Sequence, residues 1–175
     1  MRPIRVVRVG DAERHLFDAV RSGLEAELRV PCSIDGTPLD PSFAHHRERN
    51  QFHSTPLVEQ LATRDGDGTI ILGVTDVDLY IPILTFVFGE AQLGGHAAVV
   101  SYHRLHQQFY GLPRDDSLLR ERLVKEAIHE VGHTLNLTHC DDYECVMASS
   151  HAVEWLDLKG TRLCEHCRAG VLVPR

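Results

Sequence analysis

No stretch of this 175-residue chain is apolar for long enough to cross a membrane, and its first residues alternate instead of forming the unbroken apolar core of a secretory signal. Basic residues are in deficit: 18 Lys and Arg stand against 25 Asp and Glu, a formal charge of −7. Nucleic acids and anionic membranes both need basic patches, so neither is expected as a partner. Internal repeats, heptads and low-complexity tracts are missing. Cysteine is scarce until the end, where Cys140, Cys145, Cys164 and Cys167 crowd together while Cys32 stands alone far upstream. That distribution argues against a disulfide framework and, in a reducing compartment, reads as metal binding. Cys32 follows an apolar run and is expected to be a small buried hydrophobe. The length suits one domain with a real core. A soluble, cytoplasmic monomer is the expectation.

What is present concentrates at His129-Glu130-Val131-Gly132-His133-Thr134-Leu135-Asn136-Leu137-Thr138-His139. On a helix His129 and His133 share a face, so two imidazoles can reach one metal ion with Glu130 beside the open coordination position. His139 cannot share that face if the helix simply continues. The chain must leave the helix and swing back, and Asn136 is where the turn is expected. The exit needs a left-handed backbone, which costs an ordinary L-residue about 1–2 kcal/mol, and asparagine is the non-glycine residue that tolerates it best.

Three neutral imidazoles leave a tetrahedral zinc one position for water, the arrangement of a catalytic site, with Glu130 as the base that takes the proton and hands it to a leaving amine. The four thiolates of Cys140, Cys145, Cys164 and Cys167 would fill a tetrahedron completely, so that site should be structural. His151 and His166 lie nearby but are not needed. Two zinc ions per chain are the expected cofactors.

Along the chain, Ile4–Val9 reads as a strand, and Asp11 should cap a helix whose Leu16, Val20, Leu24 and Leu28 form one stripe. A strand at 28–32 would complete a β-α-β unit. Residues 35–51 read as a long polar loop, with His45 and His46 solvated. Thr55-Pro56 should open a second helix running to Arg64, before a turn at 64–68. Residues 69–74 read as a central buried strand, Asp76 and Asp78 as loop residues leaving it, and 85–91 and 97–102 as strands joined through Gly94-Gly95. Asp115-Asp116-Ser117 should cap the motif helix.

The residues His129-Glu130-x-x-His133-x-x-Asn136-x-x-His139, Cys140, Cys145, Val146-Met147 and Cys164-x-x-Cys167 together resemble the archaemetzincins, a family within the metzincin clan of zinc peptidases. Residues 49–52 and 71–80 are similar too, so the resemblance covers roughly 49–167. Asn136 stands where that family has glycine, and the Met147 to Cys164 gap is one short of the family spacing. The resemblance implies an α/β chain of the mixed α+β kind: a mixed twisted sheet with supporting helices and a small zinc-bound C-terminal lobe. It implies one catalytic domain, 1–175, divided into an upper α/β subdomain 1–139 and a C-terminal subdomain 140–175. The latter would carry the four-cysteine zinc and a tight turn placing Met147 beneath the catalytic metal. Ser149 occupies the position where some metzincins have a tyrosine, so no such tyrosine is assigned.

The implied activity is zinc-dependent hydrolysis of peptide or protein substrates. The alternative is a catalytically silent zinc-binding protein, or a peptide-binding module, on the same scaffold. An extended substrate is expected antiparallel along 97–102, the last strand before the motif helix. Because His139 and Cys140 are consecutive and Cys145 stands just before Met147, the two metal sites are expected to be mechanically linked.

Overall fold

Alternation along three apolar strands sets the architecture. The computed structural model describes residues 2–64 and 68–172. In chain order the elements are β1 (Ile4–Val9), α1 (Arg14–Leu28), β2 (Cys32–Leu39), β3 (His45–His46), β4 (Gln51–His53), α2 (Ser54–Ala62), β5 (Ile70–Thr75), β6 (Leu79–Tyr80), β7 (Gly89–Ala91), β8 (Ala97–Ser101), α3 (Asp116–Thr134), α4 (Val153–Leu158) and α5 (Glu165–Leu172). Short 3-10 turns lie at Ser42–Ala44, His103–Leu105 and Gln107–Tyr110. The main sheet has the order β2-β1-β5-β8-β7, parallel except for the antiparallel edge strand β7; a small second sheet has the order β3-β4-β6. This is the mixed fold expected.

Ile4 and Val6 of β1, Ile70, Leu72 and Val74 of β5, and Ala98 and Val100 of β8 point to one face, where α1 and α3 cover them. Val7, Val9, Ile71, Ala97 and Val99 point to the other, against Leu57, Val58 and Leu61 of α2. A sheet covered on both faces explains why β5 and β8 are buried at every residue. Each fully buried Leu, Ile or Val here contributes about 1.5–3 kcal/mol. Among the described residues no helix is long and apolar enough to cross a membrane.

Several boundaries differ from expectation. The cap position of α1 is Glu13 and not Asp11, and its backbone N–H donates to the Tyr102 hydroxyl at 2.9 Å. Leu28 closes the helix, with Arg29 left-handed at φ 55, so the following strand starts at Cys32 rather than Leu28. It then runs through residues read as loop. As an edge strand β2 needs backbone partners on one side only, so its polar side chains stay in water while it pairs in parallel with β1 from Ile4↔Cys32 onward. Helix α2 opens at Ser54, because Ser54 and Thr55 turn their hydroxyls to Glu90 instead of capping the helix. His45 and His46 are exposed, in a two-residue strand. Cys32 is buried, and burial with Glu25 nearby pushes its thiol up to about 12. The turn read at 64–68 falls largely on residues outside those described.

Residues 85–88 form no strand of the main sheet; they end a strap that carries the chain from β6 to β7. The strap is held by polar contacts. Arg104 donates to both oxygens of Asp78 at 2.6 and 2.7 Å and lies over the rings of Phe86 and Phe109 at 4.3 and 4.9 Å. Gln51 donates to Asp78 and to the Thr85 carbonyl, at 3.0 and 2.9 Å, and Arg49 donates to the Leu84 and Thr85 carbonyls at 3.0 and 3.1 Å. Asp78 is thus the anchor of the strap. Replacing one charged partner of such a bidentate pair removes about 1.5–3 kcal/mol. Asp78→Asn should therefore lower stability by about that amount in denaturant titration; an unchanged midpoint would show that the apolar contacts of Phe86 and Phe88 suffice.

Candidate active site

Helix α3 supplies most of the site. Its cap is the one read from sequence: the Asp115 carboxylate accepts the Leu118 N–H at 2.9 Å. At its far end the Asn136 N–H donates to the His133 carbonyl at 2.9 Å and the Leu137 N–H to the Gly132 carbonyl at 3.1 Å. These are the two bonds of a Schellman termination, and Asn136 sits at its left-handed position with φ 67. The chain reverses as expected and returns His139 to the helix face.

Two carbonyls then orient the imidazoles. His129 Nδ1 lies 2.9 Å from the Val146 carbonyl and His133 Nδ1 2.8 Å from the Leu137 carbonyl. A carbonyl only accepts, so each Nδ1 carries the proton and each Nε2 is left with its lone pair. The two Nε2 atoms face each other at 3.1 Å. Tetrahedral nitrogens about 2.0–2.1 Å from a zinc ion stand roughly 3.3 Å apart, so this pair has the spacing of two ligands. His139 completes the group, with one ligand atom from each histidine within 4.8 Å of the others. Burial lowers all three imidazole pKa values, and for His129 the Lys159 ammonium adds to it. The lowering favours the neutral imidazole, the form that binds metal.

Glu130 is buried beside this triad. Burial, then the neighbouring Glu126, lifts its carboxyl well above the ordinary range, while Lys159 opposes them. Beside His129, the Ala148 N–H donates to the Cys145 carbonyl at 2.9 Å and closes a tight turn over Val146 and Met147. Met147 is fully buried against Gly132, where even a methyl group would fall 2.4 Å from its sulfur.

The four cysteines expected to gather do so, with one sulfur from each within 4.8 Å of the others. Cys140 Sγ and Cys164 Sγ are 3.8 Å apart, the separation of two thiolates on a tetrahedral zinc with bonds of about 2.3 Å. The Cys167 N–H points at the Cys164 sulfur from 3.5 Å and lowers its pKa. The Cys140 N–H donates to the Met147 carbonyl at 3.0 Å. The cysteine group and the turn over Val146 and Met147 therefore share backbone. His151 and His166 fall outside both groups.

One expectation is overturned. Strand β8 pairs with β5 on one side and β7 on the other, so no edge of 97–102 is open to a peptide. On this side of the main sheet the edge strand is β7, as β2 is on the other. Other participants were missed from sequence: Lys159, buried with Nζ 3.0 Å from Glu126 Oε1 and donating to the Ala148 carbonyl at 3.1 Å, and Glu90. A lone charged residue carries no signal of its burial. Gly89 was also missed, although a glycine inside a strand pattern is a known mark of close approach.

Two outcomes follow from this geometry. Asn136→Gly should be neutral or stabilising by up to about 1 kcal/mol, and Asn136→Val destabilising by about 1–2 kcal/mol or more, in equilibrium unfolding. Equal stability of the two variants would contradict the role given to the backbone at this position. The second concerns pH. A histidine held below its ordinary 6.5 takes up its proton only on unfolding, so stability is present above that value and lost as the pH falls below it. Glu130 runs the other way: its raised carboxyl keeps a proton in the folded chain where the unfolded chain, above 4.5, has lost it. The two effects oppose, so in the metal-depleted chain Glu130→Gln, which removes the opposing one, should lose more melting temperature than the parent between about pH 7.5 and about pH 5. An equal or smaller loss in the variant than in the parent would contradict this.

The comparisons with known proteins agree with this geometry. The family model of Peptidase family M54 matches residues 59–171. The archaemetzincin of Methanocaldococcus jannaschii is 46% identical over 159 residues, covering 91% of this chain and 87% of its own. That of Pyrococcus furiosus is 36% identical over 172 residues, covering 94% and 89%. A zinc-dependent peptidase from Methanocorpusculum labreanum superposes with a TM-score of 0.88 at 32% identity, covering 96% of this chain and 99% of that one. The archaemetzincin of Archaeoglobus fulgidus, crystallised with malonate, superposes with a TM-score of 0.82 at 32% identity and the same coverage. The chain belongs to the archaemetzincins of Peptidase family M54 and is a zinc metallopeptidase.

Proposed function

We propose that His129, His133 and His139 hold the catalytic zinc, that Glu130 is the general base of peptide-bond hydrolysis, and that Cys140, Cys145, Cys164 and Cys167 hold a second, structural zinc. The observation that carries the reading is the 3.1 Å approach of two unprotonated Nε2 atoms. Two lone pairs aimed at one point repel unless a cation lies between them.

Bound zinc supplies a Lewis acid for the scissile carbonyl and an acidified water. Glu130 takes a proton from the attacking water onto its carboxylate and returns it to the leaving amine. The substrate strand lies along β7. Its ladder to β8 uses the Phe88 carbonyl and the Gln92 N–H, so the N–H and C=O groups of Gly89 and Ala91 face outward, ready for an extended peptide. Met147 packs beneath the histidines as a Met-turn. We read 1–175 as one catalytic domain, with the upper part ending at His139 and the lobe beginning at Cys140.

The purified protein should contain two zinc ions per chain by elemental analysis. Glu130→Ala removes a base and no ligand, so it should keep both ions and the fold while peptide hydrolysis falls by about 10²–10⁴-fold. One ion per chain would remove the four-thiolate assignment. Undiminished hydrolysis in the variant would remove the role of Glu130.

A further inference from the structure

Strand β7 passes directly beside Glu130. A methyl group built on Gly89 would lie 2.6 Å from both Cγ and Oε1 of Glu130 and 2.7 Å from its Cδ, closer than nonbonded carbons and oxygens approach. Gly89 is not among the residues with positive φ. Its backbone conformation is open to any amino acid, and the space alone demands glycine. The neighbour it meets is the side chain assigned as general base, which is itself buried, at 5% exposure.

We propose that Gly89 is a positioning residue for hydrolysis: the bare Cα of the edge strand is the surface against which the Glu130 side chain rests, and it sets where the carboxylate stands relative to the three histidines. The inference rests on the assignment of Glu130 as the base. Its physical content is a steric wall. Glu130 is carried by α3, where His129 and His133 are tied to the Val146 and Leu137 carbonyls, so a methyl at Gly89 is absorbed by swinging the Glu130 side chain, Cγ included, away from its place. Along a strand, side chains stand perpendicular to the hydrogen-bonding direction. A methyl at Gly89 would therefore point at α3 and leave the outer edge, where the peptide pairs, unobstructed. The defect should appear in turnover and not in substrate affinity.

The test is a pair of double-mutant cycles on the zinc-loaded full chain. Gly89→Ala should retain the zinc content of the parent and lose about 100-fold in kcat, the loss associated with misplacing a reacting group by about 1 Å, while KM changes by less than about threefold. In a Glu130→Ala background the Cγ, Cδ and Oε1 atoms that meet the methyl are all absent, so the same Gly89→Ala change should cost the residual turnover less than about threefold. In thermal melting, Gly89→Ala should lower the transition by several degrees in the parent and leave it nearly unmoved in Glu130→Ala, where the colliding atoms are gone.

Equal losses in parent and background, in either cycle, overturn the proposal. If Gly89→Ala fails to fold alone, recovery of folding in the Glu130→Ala background supports it and failure in both overturns it. Should Glu130→Ala retain full activity, the assignment of the base fails, and the melting cycle still reports whether Gly89 and Glu130 press on each other.

Discussion

Two hydrogen bonds, from His129 Nδ1 to the Val146 carbonyl and from His133 Nδ1 to the Leu137 carbonyl, decide which nitrogen of each imidazole is available. The rest of the site depends on them. Without such bonds a neutral imidazole exchanges its proton between two nitrogens, and half of its forms present the wrong one to a metal. Both acceptors lie on segments that regular secondary structure does not hold. The Leu137 carbonyl is placed by the turn at Asn136, and the Val146 carbonyl by the tight turn over Met147. The Val146 N–H in turn donates to the Arg162 carbonyl at 2.9 Å, just upstream of Cys164. Through these bonds the cysteine group and the histidine group share one piece of backbone.

Charge does a similar task along α3. The helix buries Arg122, Lys125 and Glu126 as well as the site residues. Arg122 grips Asp157 through two bonds of 2.7 and 2.6 Å and donates to the Leu105 carbonyl at 2.8 Å. Lys125 reaches the Leu156 carbonyl at 3.3 Å, and Lys159 stands 3.0 Å from Glu126. Buried pairs of this kind add little net stability over apolar packing, because desolvation offsets the attraction. Their geometry admits one docking of α4 and no sliding, and the same Lys159 holds the Ala148 carbonyl beside the Met147 turn. The edge strand β7 follows the strap directly and lays Gly89 against Glu130 of α3.

Elements whose side chains repeat with a clear period could be read in advance. Strands β1, β5 and β8 and helix α3 emerged where alternation or a helical stripe marked them. Strand β2 did not, since an edge strand in water carries no apolar alternation. The strand read at 85–91 shrank to three residues because its first half is held by Arg49 and Gln51 at the Thr85 carbonyl and by Arg104 over Phe86, from distant parts of the chain.

By itself, the sequence determined which residue types gather: the imidazoles of His129, His133 and His139, the four cysteine thiols, the carboxyl of Glu130 next to His129, and the left-handed turn at Asn136. Those are local matters of spacing and residue type. The tertiary structure alone decided which strand has a free edge, because pairing on both sides of β8 is a property of the whole sheet. It alone decided that Lys159 and Glu126 meet in the interior and that Gly89 touches Glu130. Such contacts join residues tens of positions apart, and no local pattern encodes a distance that exists only once the helix has been laid against the sheet.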